Sequence, residues 1–258
     1  MKATLSLVSL IVARAHIILC KRLLKIIKYI TLIMHIDTAV MVEPRLHKYL
    51  EPVIDNMIRN LEDSTVILLF HSKINKKLLE TKYNNLINLQ KIKLICMKQN
   101  NLTRVDYSNM LTSCDFWNQI DGENILIFQT DSIILFNISK FNMLQYSDYG
   151  FVGAPSVLPP STWQNGGLSL RRKSLMLKAI LDKKKNETTW PEDKYFSVIK
   201  KHITIPAPFE LAKQFSVEQY YYNSPLGIHS CWKYLSKDKF NELKKNNPEI
   251  SLVFGNIL

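Results

Sequence analysis

The spacing of apolar positions along the chain changes several times, and each change marks an element. Thr38 to Val42 is a short β-branched apolar run that stops at Glu43-Pro44-Arg45, because a proline cannot extend a hydrogen-bonded ladder. Leu46, Leu50, Val53, Ile54, Met57, Ile58 and Leu61 then recur at helical spacing, which predicts a core-facing helix. Thr65 to His71 has the length and composition of a buried strand, Ile74 to Tyr83 that of a second helix, and Lys91 to Met97 that of a third strand. This alternation predicts a parallel sheet with helices on both faces.

Further along, Tyr107 to Trp117 reads as a helix and Asn124 to Phe128 as the most continuously apolar strand of the chain. That strand runs directly into Gln129-Thr130-Asp131-Ser132. Ligands of open α/β sheets gather beyond the carboxyl ends of the strands, so Asp131 is expected where a ligand would lie. Gly150 to Pro160 reads as a turn-rich segment, Leu168 to Leu181 as a basic helix entered through Asn165-Gly166-Gly167, and Tyr195 to Lys200 as a further helical turn. No repeat or flexible linker divides the chain. The expected organisation is one α/β domain over 37–240, preceded by a basic apolar extension over 1–36 and followed by a tail over 241–258.

Charge adds a question of partners. The 258 residues carry a formal net charge of +12, which invites nucleic acid, anionic membrane and nucleotide phosphates. Half of that excess comes from residues 1–34, which hold Lys2, Arg14, Lys21, Arg22, Lys25 and Lys28 and no acid. The remainder is modest, so no specific nucleic-acid partner is expected. The apolar run in this leader is interrupted by Arg14 and His16, which makes it a marginal span. Its stronger positive flank comes after the run, a pattern that keeps the following domain in the cytoplasm. A surface helix making peripheral membrane contact, or an unused extension with the true start at Met34 or Met41, is expected ahead of a true span or a signal peptide. Cys20, Cys96, Cys114 and Cys231 lack the spacing of a zinc site and read as reduced, buried thiols.

Four places could carry chemistry. Asp131 stands among the oxygen-bearing Gln129, Thr130 and Ser132, a set suited to a hard divalent cation or a ribose hydroxyl, or, more plainly, to capping the next element. Gly166 and Gly167 let backbone approach a ligand, although a helix-entry loop uses the same residues. Arg171 and Arg172 follow within a turn and could face phosphate. Glu192-Asp193 lies between Trp190-Pro191 and Tyr195-Phe196. Partial desolvation there would raise a carboxyl toward general-base duty, while a helix N-terminus is the competing reading. His229 sits beside a tight turn and Trp232, where a hydrogen-bonded core histidine is the usual case.

Taken in order, VEPRLH (42–47), FW (116–117), ILIFQTDS (125–132), FVGAP (151–155), NGGLSLRRKS (165–174), ED-YFS (192–197), FSVE (215–218) and PLGIHSCW (225–232) resemble an uncharacterised glycosyltransferase-like domain family. The resemblance spans Thr38 to Trp232. It implies a GT-A-like, Rossmann-type fold with a mostly parallel sheet flanked by helices. Carried over by motif, Asp131 would bind a nucleotide-sugar diphosphate through Mn2+ or Mg2+, with His229 as a second ligand. Gln129, Thr130 and Ser132 would line the donor, and Val42, Glu43 and Arg45 would border its nucleoside. Asn165, Gly166, Gly167 and Trp190 would hold the sugar or acceptor. Asp193 would deprotonate the acceptor hydroxyl, with Glu192 as second candidate, and a carboxylate so placed favours inversion. One position departs from the class pattern: Gln129 stands where the first acid of Asp-x-Asp is expected, and a neutral amide weakens metal binding. The implied function is transfer of a sugar from a nucleotide-sugar donor to a glycan or protein acceptor. Its alternatives are a non-catalytic nucleotide- or glycan-binding module of the same fold and a basic membrane-surface or nucleic-acid-binding protein.

Overall fold

The computed structural model describes residues 34–255; the leader readings above fall on residues 1–33, outside the described residues. The central sheet has six strands in the order β3-β2-β1-β4-β7-β6: β1 (Thr38–Val42), β2 (Val66–His71), β3 (Ile92–Cys96), β4 (Asn124–Phe128), β6 (Phe151–Pro155) and β7 (Gln164–Arg172). The first four run parallel, with Val40 beside both Leu68 and Ile127. Strand β7 is antiparallel to both of its neighbours, β4 and β6, so the edge strand β6 again runs with β1 to β4 and the sheet is mostly parallel with one reversed strand. Val40, Leu68, Ile125 and Ile127 are buried against Phe116, Trp117, Tyr195 and Phe196 from the helical layers, which is why these strands read as continuous apolar runs. Trp117 satisfies its indole N–H by donating to the Leu111 carbonyl at 2.7 Å.

Two segments differ from the expectation. Residues 164–172 form β7, and the helix begins only at Lys173, running Lys173–Leu181. Phe151–Pro155, read as turns, is the edge strand β6, which accepts Pro155 because it lies at the strand's end. Between these partners the register slips: Gly153 faces Ser169 while Ala154 faces Asn165. The intervening Gly166-Gly167-Leu168 is thus extra chain on β7 and bulges toward the carboxyl ends of the parallel strands.

A second sheet, β5-β9-β8, joins β5 (Ser132–Ile134), β8 (Ser216–Val217) and β9 (Gly227–His229). Its antiparallel register sets Ser132 opposite His229, which brings a residue from late in the chain beside Asp131. The helix Leu50–Asn60 ties this sheet to the rest, since Asn56 donates to the Ile134 carbonyl and accepts from the Ile134 N–H, each at 2.9 Å. Two further helices, Lys237–Asn246 and Pro248–Phe254, close the described chain, and Glu249 of the second accepts from Asn56 and Arg59. Of the described cysteines only Cys231 is buried; Cys96 is exposed, because the carboxyl end of β3 lies at the sheet's edge. No helix among the described residues is long and apolar enough to cross a membrane.

Candidate active site

A cleft of about 810 Å³ opens where the parallel strands end. Its wall at β1 is the Val42–Arg45 turn. Ser72 and Asn75 form a capping box on the helix Lys73–Lys82 and also reach across to this turn. Ser72 Oγ donates to the Pro44 carbonyl at 2.5 Å, and Asn75 Nδ2 donates to the carbonyls of Glu43 at 2.7 Å and Arg45 at 3.1 Å. One local motif therefore caps a helix and fixes a cleft wall. Arg45 grips the buried Glu43 in a forked pair, Nε to Oε1 at 2.8 Å and Nη2 to Oε2 at 2.7 Å, while its own side chain stays half-exposed at the rim.

Between β4 and β5, Gln129, Thr130 and Asp131 face the cleft, whereas Ser132 lies beneath it. Ser132 Oγ donates to the Gln129 carbonyl and accepts from the Gln129 N–H, so it shapes the turn instead of meeting a ligand. Asp131 Oδ1 stands 3.3 Å from His229 Nε2, and His229 Nδ1 stands 3.3 Å from Glu218 Oε1 on the opposite side of the ring. Burial opposes a charge on His229, but hydrogen bonding and attraction from Asp131 and Glu218 win, and its pKa is pushed up to about 9. Burial also opposes ionisation of Asp131, yet His229, Ser230 and Lys233 together hold its carboxyl well below the usual carboxylate range. Asp131 Oδ2 takes a short hydrogen bond from Ser230 Oγ and lies 3.3 Å from Lys233 Nζ.

This arrangement bears on the expected Mn2+ or Mg2+. Asp131 and His229 come together as foreseen, but as an ion pair. Among the described residues no three His, Cys, Asp or Glu side chains are grouped as metal ligands, and Gln129 adds only an amide. Like unit charges about 4 Å apart repel by about 4 kcal/mol near a protein surface, so a second cation beside the Lys233 ammonium meets a real penalty. The donor set does not fit a divalent ion.

The bulge supplies the opposite wall. A Cβ on Gly167 would lie 2.3 Å from His229 Nε2, and one on Gly166 would lie 2.5 Å from Arg171 Nη2 and 2.6 Å from Glu192 Oε1. Both glycines are needed for close approach, the first to the imidazole and the second to a buried ion pair. Asn165 Oδ1 holds the turn by accepting from the Gly167 N–H at 2.7 Å.

Arg171 does not face phosphate. It is fully buried and donates from Nη1 to Glu192 Oε2 at 2.7 Å, from Nη2 to Glu192 Oε1 at 3.0 Å and from Nε to Ser169 Oγ at 2.9 Å, with its guanidinium 4.8 Å from the Phe151 ring. Arg172 points elsewhere and donates to the Ser147 carbonyl. The same contacts leave Glu192, the second candidate base, no free oxygen: both are held by a permanent cation. Asp193 differs. Its Oδ1 accepts from the Lys194 N–H at 2.6 Å and from Trp163 Nε1 at 3.3 Å, and its Oδ2 has no hydrogen bond among the described residues. Burial, reinforced by the charge on Glu192, raises its pKa to about 6. Trp190 lies nearby, half-exposed on the cleft.

Several lining residues carried no sequence expectation. Lys233 follows the PLGIHSCW stretch directly, and Glu218 closes FSVE, so proximity to those motifs was the available signal. Tyr107 and Trp163 had none, because the helix Arg104–Leu111 and the loop before β7 reach the cleft only through tertiary packing.

A family model described as a protein of unknown function, DUF5672, matches residues 91–229, slightly more than half of the chain. No curated protein sequence matches it significantly. Solved structures similar in fold include the apo form of the glycosyltransferase GlyE of Streptococcus pneumoniae TIGR4, with a TM-score of 0.52 and 13% identity, covering 79% of this chain and 56% of GlyE. The galactosyltransferase LgtC, in complex with donor and acceptor sugar analogues, has a TM-score of 0.50 and 9% identity, covering 85% of this chain and 96% of LgtC. The apo bifunctional glycosyltransferase WbbM has a TM-score of 0.53 and 8% identity, covering 88% of this chain and 53% of WbbM. The chain thus spans little more than half the length of GlyE, and at these identities the likeness is one of fold: the six-stranded, mostly parallel sheet is that of GT-A glycosyltransferases.

Proposed function

Because this chain belongs to the DUF5672 family and carries the GT-A fold, we propose that it is a glycosyltransferase moving a sugar from a nucleotide-sugar donor to an acceptor hydroxyl. The observation that carries the reading is the pairing, across the Gly166-Gly167 bulge, of a desolvated carboxylate with a free oxygen, Asp193, and a cation-lined turn at Asp131. The nucleoside lies against Val42 to Arg45, the diphosphate near Gln129 to Asp131, and the sugar over Asn165 to Gly167. The acceptor rests by Trp190, whose exposed indole face suits a glycan ring or an apolar side chain of a protein.

In the reaction, Asp193 Oδ2 takes the acceptor's proton while its oxygen forms the bond to the anomeric carbon. The bond from that carbon to the diphosphate oxygen breaks, and the nucleoside diphosphate leaves with the electron pair. Attack by an activated hydroxyl from the face opposite the leaving group inverts the anomeric centre. Glu192 and Arg171 form a neutral platform under Gly166, which keeps the second acid out of proton transfer and leaves Asp193 as the single base.

A thermal-shift panel of nucleotide sugars tests the donor half. Ligands that bind only the folded state raise its melting temperature, by an amount set by about 2.7 kcal/mol of stabilisation at a hundred times Kd. A shift for at least one nucleotide sugar is expected; a flat panel contradicts the reading. A non-catalytic binding module would give the same shift with no turnover.

A further inference from the structure

Resting on the glycosyltransferase reading above, we propose that Lys233 is the cation that meets the departing nucleoside diphosphate, and that this site binds the diphosphate without a divalent ion. Lys233 ends the short 3-10 turn Cys231–Lys233, entered through Ser230 in a left-handed conformation at φ 47. The turn is fixed to the β4–β5 junction by the Ser230 N–H, which donates to the Asp131 carbonyl at 2.9 Å. Lys233 Nζ donates to Ser230 Oγ at 2.8 Å and lies 3.3 Å from Asp131 Oδ2, while its side chain remains 53% exposed on the cleft. An ammonium has three donors, so one remains for a phosphate oxygen even with both contacts kept.

Apart from Asp193 on the opposite wall, the acids lining the cleft are already matched. Glu43 holds Arg45, Glu192 holds Arg171, and Asp131 and Glu218 hold His229 between them. A metal bridging Asp131 to a diphosphate would have to displace Lys233 from Oδ2 and lacks an acid at Gln129 to compensate. The ammonium stands where that metal's charge is needed, Arg45 contributes from the rim, and a diphosphate is the chemical class these cations suit.

Isothermal titration of the full chain with uridine, guanosine, adenosine and thymidine diphosphates, in EDTA and again with Mn2+, decides the matter. At least one should bind in EDTA, with Mn2+ changing its Kd by less than about threefold. Lys233→Met should weaken that binding by about tenfold or more and Lys233→Arg should stay within about threefold, since charge-assisted contacts of a guanidinium replace those of an ammonium. Thermal melting of both variants should match the parent, because the side chain is half-exposed. Binding that appears only with Mn2+, or Lys233→Met binding as tightly as the parent, overturns the inference and leaves the glycosyltransferase reading standing. Absence of binding under both conditions overturns both.

Discussion

Asp193 and Glu192 are neighbours in sequence with opposite fates, and the difference lies in one partner. Arg171 saturates Glu192, while Asp193 keeps a free oxygen and a pKa of about 6. A base with a raised pKa is active only when deprotonated. The kcat/KM is therefore expected to rise about tenfold per pH unit below about 6 and to level off above it, in a pH-rate profile with a saturating acceptor. The buried pair should behave as structure. Arg171→Met strands the Glu192 carboxylate and is expected to cost about 3–5 kcal/mol in urea unfolding, whereas adding Glu192→Leu should recover most of that loss. None of this pairing could be read from the chain, because Arg171 and Glu192 meet only when β7 packs under the segment that follows Pro191. An arginine after two glycines reads as an exposed phosphate ligand until its partner is known.

Among the elements, the parallel strands β1, β2 and β4 were legible because both their faces are buried and their composition is continuously apolar, and the half-exposed edge strand β3 because it still carries Ile92, Leu94 and Ile95. Strand β7 was not. Leu168, Ser169, Leu170 and Arg171 do alternate apolar and polar, but only over four residues, and the following KSLMLKAIL continues into a true helix that absorbs so short a pattern. The Gly-Gly pair was recognised as a place of close approach but assigned to a helix entry; it is a bulge whose need for glycine comes from the Arg171–Glu192 pair at Gly166 and, at Gly167, from His229, sixty-odd residues away in sequence. Gly167→Ala is accordingly expected to abolish nucleotide-sugar binding through displacement of His229, more than it lowers the melting temperature, and paired thermal-shift measurements with and without donor check this. The carboxyl-end placement of Asp131 was readable from a general rule of open α/β sheets; the pairing of β5 with β9 that brings His229 to it was not, since strands of three residues carry too little pattern to register.

At the scale of the whole molecule, the second sheet, the helix Leu50–Asn60 and the helix Pro248–Phe254 form one connection running through Asn56, which bonds both Ile134 and Glu249. Truncation after Asn247 removes Glu249 and uncovers the apolar side chains of Ile250, Val253 and Phe254's partners. It is expected to lower the melting temperature by several degrees, since each such buried side chain contributes about 1.5–3 kcal/mol, and to loosen the β5–β9 pairing that carries His229. The fold class follows from the alternation of strands and helices together with the shared architecture of GlyE and LgtC, while the chemistry rests on the cleft itself. Turnover is accordingly the deciding quantity: release of nucleoside diphosphate from a panel of nucleotide sugars, with and without glycan acceptors, by the parent chain and by Asp193→Asn. Acceptor-dependent release by the parent, reduced by about a hundredfold or more in Asp193→Asn with its donor affinity intact, is the predicted result; no release with any donor, or equal release by the two proteins, would contradict it.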